Sequence, residues 1–210
     1  LEMPSRQQQL TALAKLLHYV LSHRPDEFGL VLDAAGWIPV KDLLRALNEE
    51  EGWGFLRLSH LEEVVHLHQP GHFLLEQNRI RAVEPARLRS AAPVPPPPLL
   101  YKAITRKSYS VVAQQGLLPS AGRDNVLTTT PELAAKLGQR RDPKALVVTV
   151  RAQAAAAAGE KFFSYGPHLF LTAAIAPAYL QLPPPPREPV PARPVKTVEP
   201  ATPGSVLVDI

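Results

Sequence analysis

The chain has 210 residues, 45% of them hydrophobic and 20% charged, with a formal net charge of +4, a composition that fits a globular protein of one domain or two small ones. It has no cysteine, which excludes disulfides, thiolate metal ligands and cysteine nucleophiles and fits a reducing, cytoplasmic setting. No apolar run approaches the roughly 20 residues of a membrane-spanning helix, and the first residues lack the basic-then-apolar order of a signal peptide, so no membrane attachment is expected.

Proline is the outlier, with 24 residues against an average usage of roughly 5%. It clusters and so divides the chain. Pro93 and Pro95 to Pro98 mark a linker prone to polyproline II structure over 91–98. A second run begins at Pro183, and residues 183–210 hold nine prolines and little periodic apolar pattern, which reads as a disordered tail. The tail reads first as a spacer, and second as a ligand for the aromatic groove of a protein partner. Residues 1–90 hold 10 Lys/Arg against 12 Asp/Glu, and residues 91–210 hold 13 against 7. Help in gripping an anion is therefore expected from the second part.

In residues 1–90, Leu10, Leu13, Leu17, Val20 and Leu21 recur at helical spacing, and Pro25 stops that helix. Residues 29–32 and 37–40 read as two strands around a turn at 33–36. Val40, Leu43, Leu44 and Leu47 make a second amphipathic helix. Ser59, with Glu62 three residues on, predicts the start of a third helix reaching His68. Residues 73–82 read as a hairpin turning at Gln77-Asn78. Helices followed by a two-stranded wing describe a winged-helix-like module, a type that often contacts nucleic acid.

Residues 99–182 alternate short strands and helices. Strands are predicted at 99–102, 126–129, 145–150 and 169–172. Helices are predicted at 108–115, ended by Gly116, and at 131–137, ended by Gly138. Residues 154–158 are an alanine run of loop or helix. There is no sustained strand–helix–strand repeat and neither GxGxxG nor GxxxxGK[ST], so the class is α+β and not a dinucleotide-binding or P-loop fold.

Three places suit an anion. Ser22-His23-Arg24-Pro25 sets two cationic donors at a helix end, where the same residues would equally suit the helix dipole. In Arg79-Ile80-Arg81, strand geometry puts both guanidiniums on one face, or simply a charged edge. Arg140-Arg141 follows a helix end. His60, His66, His68 and His72 are close in sequence, but His66 and His68 leave a helix on different sides and nothing completes a ligand set, so no metal site is expected.

At these residues the sequence resembles the KptA family, NAD-dependent RNA 2′-phosphotransferases related to the tRNA-splicing enzyme, over about residues 10–182. The family pattern S-K-x-L-S-x-V-L-R-H-x-P, then G-L-x-L-D-x-x-G-W-V-x-V-x-x-L-L, meets LAKLLHYVLSHRPDEFGLVLDAAGWIPVKDLL without a gap. Arg79-Ile80-Arg81-Ala82, Leu100-Tyr101, Gly138-Gln139-Arg140 and Leu171-Thr172 extend the match. The resemblance implies a winged-helix-like lobe over 1–90 and an ADP-ribosyltransferase-like lobe over 99–182, with NAD as co-substrate. It implies a transferase that moves the 2′-phosphate of an RNA onto ADP-ribose, releasing nicotinamide and a cyclic phosphate of ADP-ribose. Carried over position by position, the catalytic residues are His23, Arg81 and Arg140, and the cofactor-binding residues are Tyr101, Lys102 and Thr128. The family's first arginine falls at Ser22, its L-Y-H-G-T becomes Leu100-Tyr101-Lys102-Ala103-Ile104, and its R-H-G becomes Arg140-Arg141-Asp142. These departures carry the alternative of a catalytically depleted homologue that binds RNA, ADP-ribose or a protein partner without turnover.

Overall fold

The Ser5 hydroxyl accepts the Gln8 amide while the Gln8 side chain caps the Ser5 amide, and this capping box opens helix α1, Arg6–His18. In the computed structural model, which describes residues 5–186, α1 buries Leu10, Leu13, Ala14 and Leu17. It runs on into a widened π-helical turn, Tyr19–His23, and a 3₁₀ turn, Pro25–Phe28. Around it pack α2 (Val40–Leu47), α3 (Leu58–Glu63) with a second π-helical turn (Val64–His68), and a three-stranded antiparallel sheet. That sheet joins β1 (Ile38–Pro39), β3 (Arg79–Ala82) and β2 (Phe73–Glu76) in this order. Gln77 and Asn78 both have positive φ, 49° and 58°, the backbone that a tight two-residue hairpin requires.

The remaining described residues build a six-stranded antiparallel sheet in the order β7-β8-β5-β4-β6-β9. Its strands are β4 (Leu100–Ile104), β5 (Asn125–Thr128), β6 (Leu146–Val150), β7 (Phe163–Tyr165), β8 (Leu169–Thr172) and β9 (Leu180–Gln181), joined by α4 (Tyr109–Gln115), α5 (Pro131–Gln139) and α6 (Ala152–Ala157). β4 pairs with β6 along five residues, yet meets β5 in the single pair Tyr101 and Thr128. The protein is thus α+β, with one apolar core under each sheet. A third, smaller core around Tyr165, Leu169 and Leu171 also holds Val31 and Leu88, and so ties the two parts together.

Several expectations are corrected. Residues 29–32 are not a strand: the Leu30 amide donates to Pro25 and the Leu32 amide to the Tyr165 hydroxyl, so no ladder forms there. β1 pairs instead with β3, distant in sequence. The third helix begins at Leu58, not after Ser59, because the His60 ring accepts the Arg57 amide. Gly138 lies inside α5 rather than ending it; a Cβ there would sit 2.3 Å from that of Ala103, so glycine lets the helix press on β4. The proline linker is not free: Ser90 and Val94 donate to Ser164 and Phe162, which lays this segment along β7. β7 and β9 have no counterpart in the predicted elements. Residues 187–210 of the expected tail lie outside the described residues, and Pro183 accepts the Tyr109 hydroxyl.

Candidate active site

The end of α1 places His23. The Arg24 amide donates to Tyr19, five residues back, and Pro25 cannot continue the helix. An α-helix sets residues i and i+5 about 140° apart; the wider turn brings His23 back beside His18. Their rings stand edge to face with centroids 5.0 Å apart, and Tyr19 lies 6.5 Å from His23. Ala14, Lys15, His18, Tyr19, His23, Gln69 and His72 line a shallow cavity of about 490 Å³ with no carboxylate in its wall. Glu27, which accepts from one of the lining residues, is occupied: it takes the Tyr19 hydroxyl at 2.7 Å and meets Arg24 at 3.1 Å. That hydrogen bond holds the Tyr19 proton above the usual tyrosine range. The Ser22 hydroxyl, at the position where the resemblance expects an arginine, is buried without a hydrogen-bond partner and so faces inward.

Arg24 does not take its place. Its guanidinium forks onto Asp26 at 3.0 and 2.9 Å, and the Asp26 side chain is only 1% exposed. This hydrogen-bonded pairing raises the Arg24 pKa further and neutralises its charge locally.

Arg79 and Arg81 share one face of β3, stacked over Trp37 with centroid distances of 5.3 and 5.7 Å. Arg79 pairs with Asp33 at 3.5 Å. Arg81 donates to the carbonyls of Ala35, Ala82 and Val83 at 3.0, 3.1 and 3.2 Å. Carbonyls fix the guanidinium without cancelling its charge, and part of its donor fork stays available. β3 packs against the turn that carries His23.

Arg140 has a different setting. Its side chain is 10% exposed, it grips both oxygens of Glu49 at 2.8 and 2.9 Å, and it donates to the Phe28 carbonyl at 2.8 Å. It therefore bridges the two sheets as a strut. No hydrogen bond or ion pair among the described residues links His23, Arg81 and Arg140.

On β4, Tyr101 and Lys102 are half-buried. Desolvation of the Lys102 ammonium, aided by the like charge of Arg141, pulls its pKa down to about 8. Neither cation has a salt-bridge partner among the described residues. Thr128 is buried, and its hydroxyl donates to Thr130 at 2.7 Å, with the Tyr101 carbonyl at 3.3 Å. It secures the single link between β4 and β5. Strand alternation turns Lys102 to the face of β4 opposite Tyr101 and its partner Thr128, so the three expected cofactor residues do not converge on one face; the Thr128 hydroxyl keeps only acceptor capacity.

The histidines close in sequence are dispersed. His60 caps Arg57, His68 contacts Gln7 and Thr11, and His72 lines the His23 cavity. Sequence reasoning missed Lys15, His18 and His72 as companions of His23. Their spacing would have shown them only if the helix were known to widen at residue 19.

A family model described as RNA 2′-phosphotransferase, Tpt1 / KptA family, matches residues 8–174. A protein of Acetivibrio thermocellus named probable RNA 2′-phosphotransferase is 30% identical over 173 residues, covering 80% of this chain and 94% of its own length. Proteins of the same name match from Burkholderia pseudomallei, 35% identical over 144 residues (66% and 77%), and from Pseudomonas savastanoi pv. phaseolicola, 32% over 174 residues (80% and 91%).

Proposed function

The chain belongs to the RNA 2′-phosphotransferase family, and from that premise we propose that it transfers a 2′-phosphate from RNA to the ADP-ribose of NAD with loss of nicotinamide. In this reading the helices and three-stranded sheet form the winged-helix-like lobe that receives the RNA end. The six-stranded sheet forms the ADP-ribosyltransferase-like lobe. The cysteine-free composition suits a cytoplasmic setting.

The observation that carries the reading is the His23 cavity, with imidazoles and Lys15 but no carboxylate in its wall. A doubly charged phosphate needs fixed donors in a site that does not repel it. His23 donates to the RNA phosphate, and Arg81, held by three carbonyls, adds a fixed positive charge across β3. NAD, when bound, supplies the ribose carbon that accepts the phosphate as nicotinamide leaves. Lys102 and Arg141 give the lobe that takes NAD positive charge without a salt-bridge partner among the described residues, and Tyr101 and Thr128 hold the β4–β5 junction in place. Arg140 is a positioning residue here: through Glu49 and Phe28 it sets how the two parts face each other.

Nicotinamide release from NAD in the presence of a 2′-phosphorylated oligoribonucleotide tests the reading. Release is expected, with His23→Ala lowering it about 10²-fold, the usual cost of one oriented donor. No release by the unaltered chain overturns it. A second reading, binding without turnover, is favoured by the inward Ser22 and by the neutralised Arg24 and Arg140. It predicts ADP-ribose or RNA binding with no nicotinamide formed.

A further inference from the structure

Ser22 offers no cation, and Arg24 and Arg140 are already paired with acids. Of the expected arginines only Arg81 is left without an acid partner, and it does not line the His23 cavity, so a phosphate there calls for other donors as well. The cavity wall supplies them from three elements. Lys15 and His18 come from α1, His23 from the turn that ends it, and His72 from the residue before β2. All four are exposed, so their donors are open to a ligand. Gln69 adds an amide. Glu27 is held by Tyr19 and Arg24, and His68 is engaged with Gln7 and Thr11, so neither competes for the cavity.

We propose that Lys15, His18, His23 and His72 form one phosphomonoester site in which His18 is the second donor beside His23, serving in place of an arginine at residue 22. The identity of the anion as an RNA 2′-phosphate rests on the function proposed above. The site itself rests on the cavity. An imidazole N–H donates one directed hydrogen bond, and two rings meeting edge to face direct their N–H groups along different lines. Both rings line the same cavity, so each can turn an N–H toward an oxyanion held there. The Lys15 ammonium is a mobile point charge that follows the anion.

The full chain, labelled with ¹⁵N, is titrated with adenosine 2′-monophosphate and with inorganic phosphate while the histidine ring nitrogens are followed by NMR. The His18, His23 and His72 rings are expected to shift together with one affinity, and the His60 and His66 rings to stay still. His18→Ala is expected to weaken adenosine 2′-monophosphate at least tenfold, which is about 1.4 kcal/mol; His18→Gln, which keeps a side-chain N–H, recovers part of that. Both changes are at an exposed position, and unaltered amide spectra outside the cavity establish that the fold survives. Unchanged affinity in His18→Ala, or rings that shift separately, overturns the proposal. If His18→Ala abolishes phosphate binding while the unaltered chain releases no nicotinamide, the site stands and the transferase reading falls.

Discussion

Between the two sheets, the cations meet acids. Arg140 forks onto Glu49, Arg24 onto a buried Asp26, Arg89 reaches Asp124 at 2.8 Å and Arg123 approaches Asp42 at 3.8 Å. Beside α1, Lys15, His18, His23 and His72 line a cavity that no carboxylate enters. Both regions are rich in the residue types that bind phosphate, yet only one leaves them free. What makes a cation a ligand-binding group is the absence of a fixed counter-charge, since a guanidinium already bonded at both edges has little left for a substrate. The seam stabilises an arrangement. The cavity leaves its lysine and imidazole donors unpaired among the described residues.

Arg140→Ala should break the seam with the largest effect. It leaves Glu49 and the Phe28 carbonyl without their partner, and should lower the free energy of unfolding in urea by about 2–3 kcal/mol, less than a fully buried pair because Glu49 is partly exposed. If stability holds while phosphate binding collapses, Arg140 belongs to the anion site and the contrast drawn above is wrong.

Tyr165→Phe sharpens the same contrast more gently. Tyr165 is 3% exposed, and its hydroxyl accepts the Leu32 amide across the seam at 3.1 Å. Its removal strands a buried donor and should cost about 1–2 kcal/mol in the same urea experiment. The phosphate titration should not change, because the cavity lies elsewhere.

Lys102 tests whether the six-stranded sheet also keeps an uncompensated charge. Its pKa is depressed to about 8 in the folded chain, against 10.5 ordinarily. Between those values the unfolded chain binds more protons, so stability should rise as pH climbs from about 8 to about 10.5. Below pH 8 the lysine is charged in both states and its desolvation penalty is felt in full. Lys102→Met should flatten that rise in pH-dependent denaturation; an unchanged slope would mean that the ammonium is well solvated.

Much of the local structure was legible. The 3.6-residue recurrence of leucines defines α1 and α2, and the polar pair Gln77-Asn78 defines the β2–β3 turn. The alternation in Arg79-Ile80-Arg81 correctly put both guanidiniums on one face, now seen over Trp37. Less legible were the strands whose partners are remote. The pairing of β1 with β3 and the short edge strands β7 and β9 depend on neighbours supplied by the fold, not on their own two or three residues. Gly138 looked like a helix stop because glycine commonly is one; here it is a contact point with Ala103.

The candidate site divides in the same way. The sequence by itself determined the family, through an ungapped pattern around residues 13–47, and it singled out His23, Arg81 and Arg140. It also determined that residue 22 carries no positive charge. Only the tertiary structure decided which cations are free. Asp26 lies two residues from Arg24, but Glu49 lies 91 residues from Arg140, and no spacing rule anticipates such a partner. The widened turn at Tyr19 likewise decided that His18 and His23 face one cavity. Side-chain chemistry is written in each residue, whereas compensation of its charge is a property of distance in space, which only the folded chain defines.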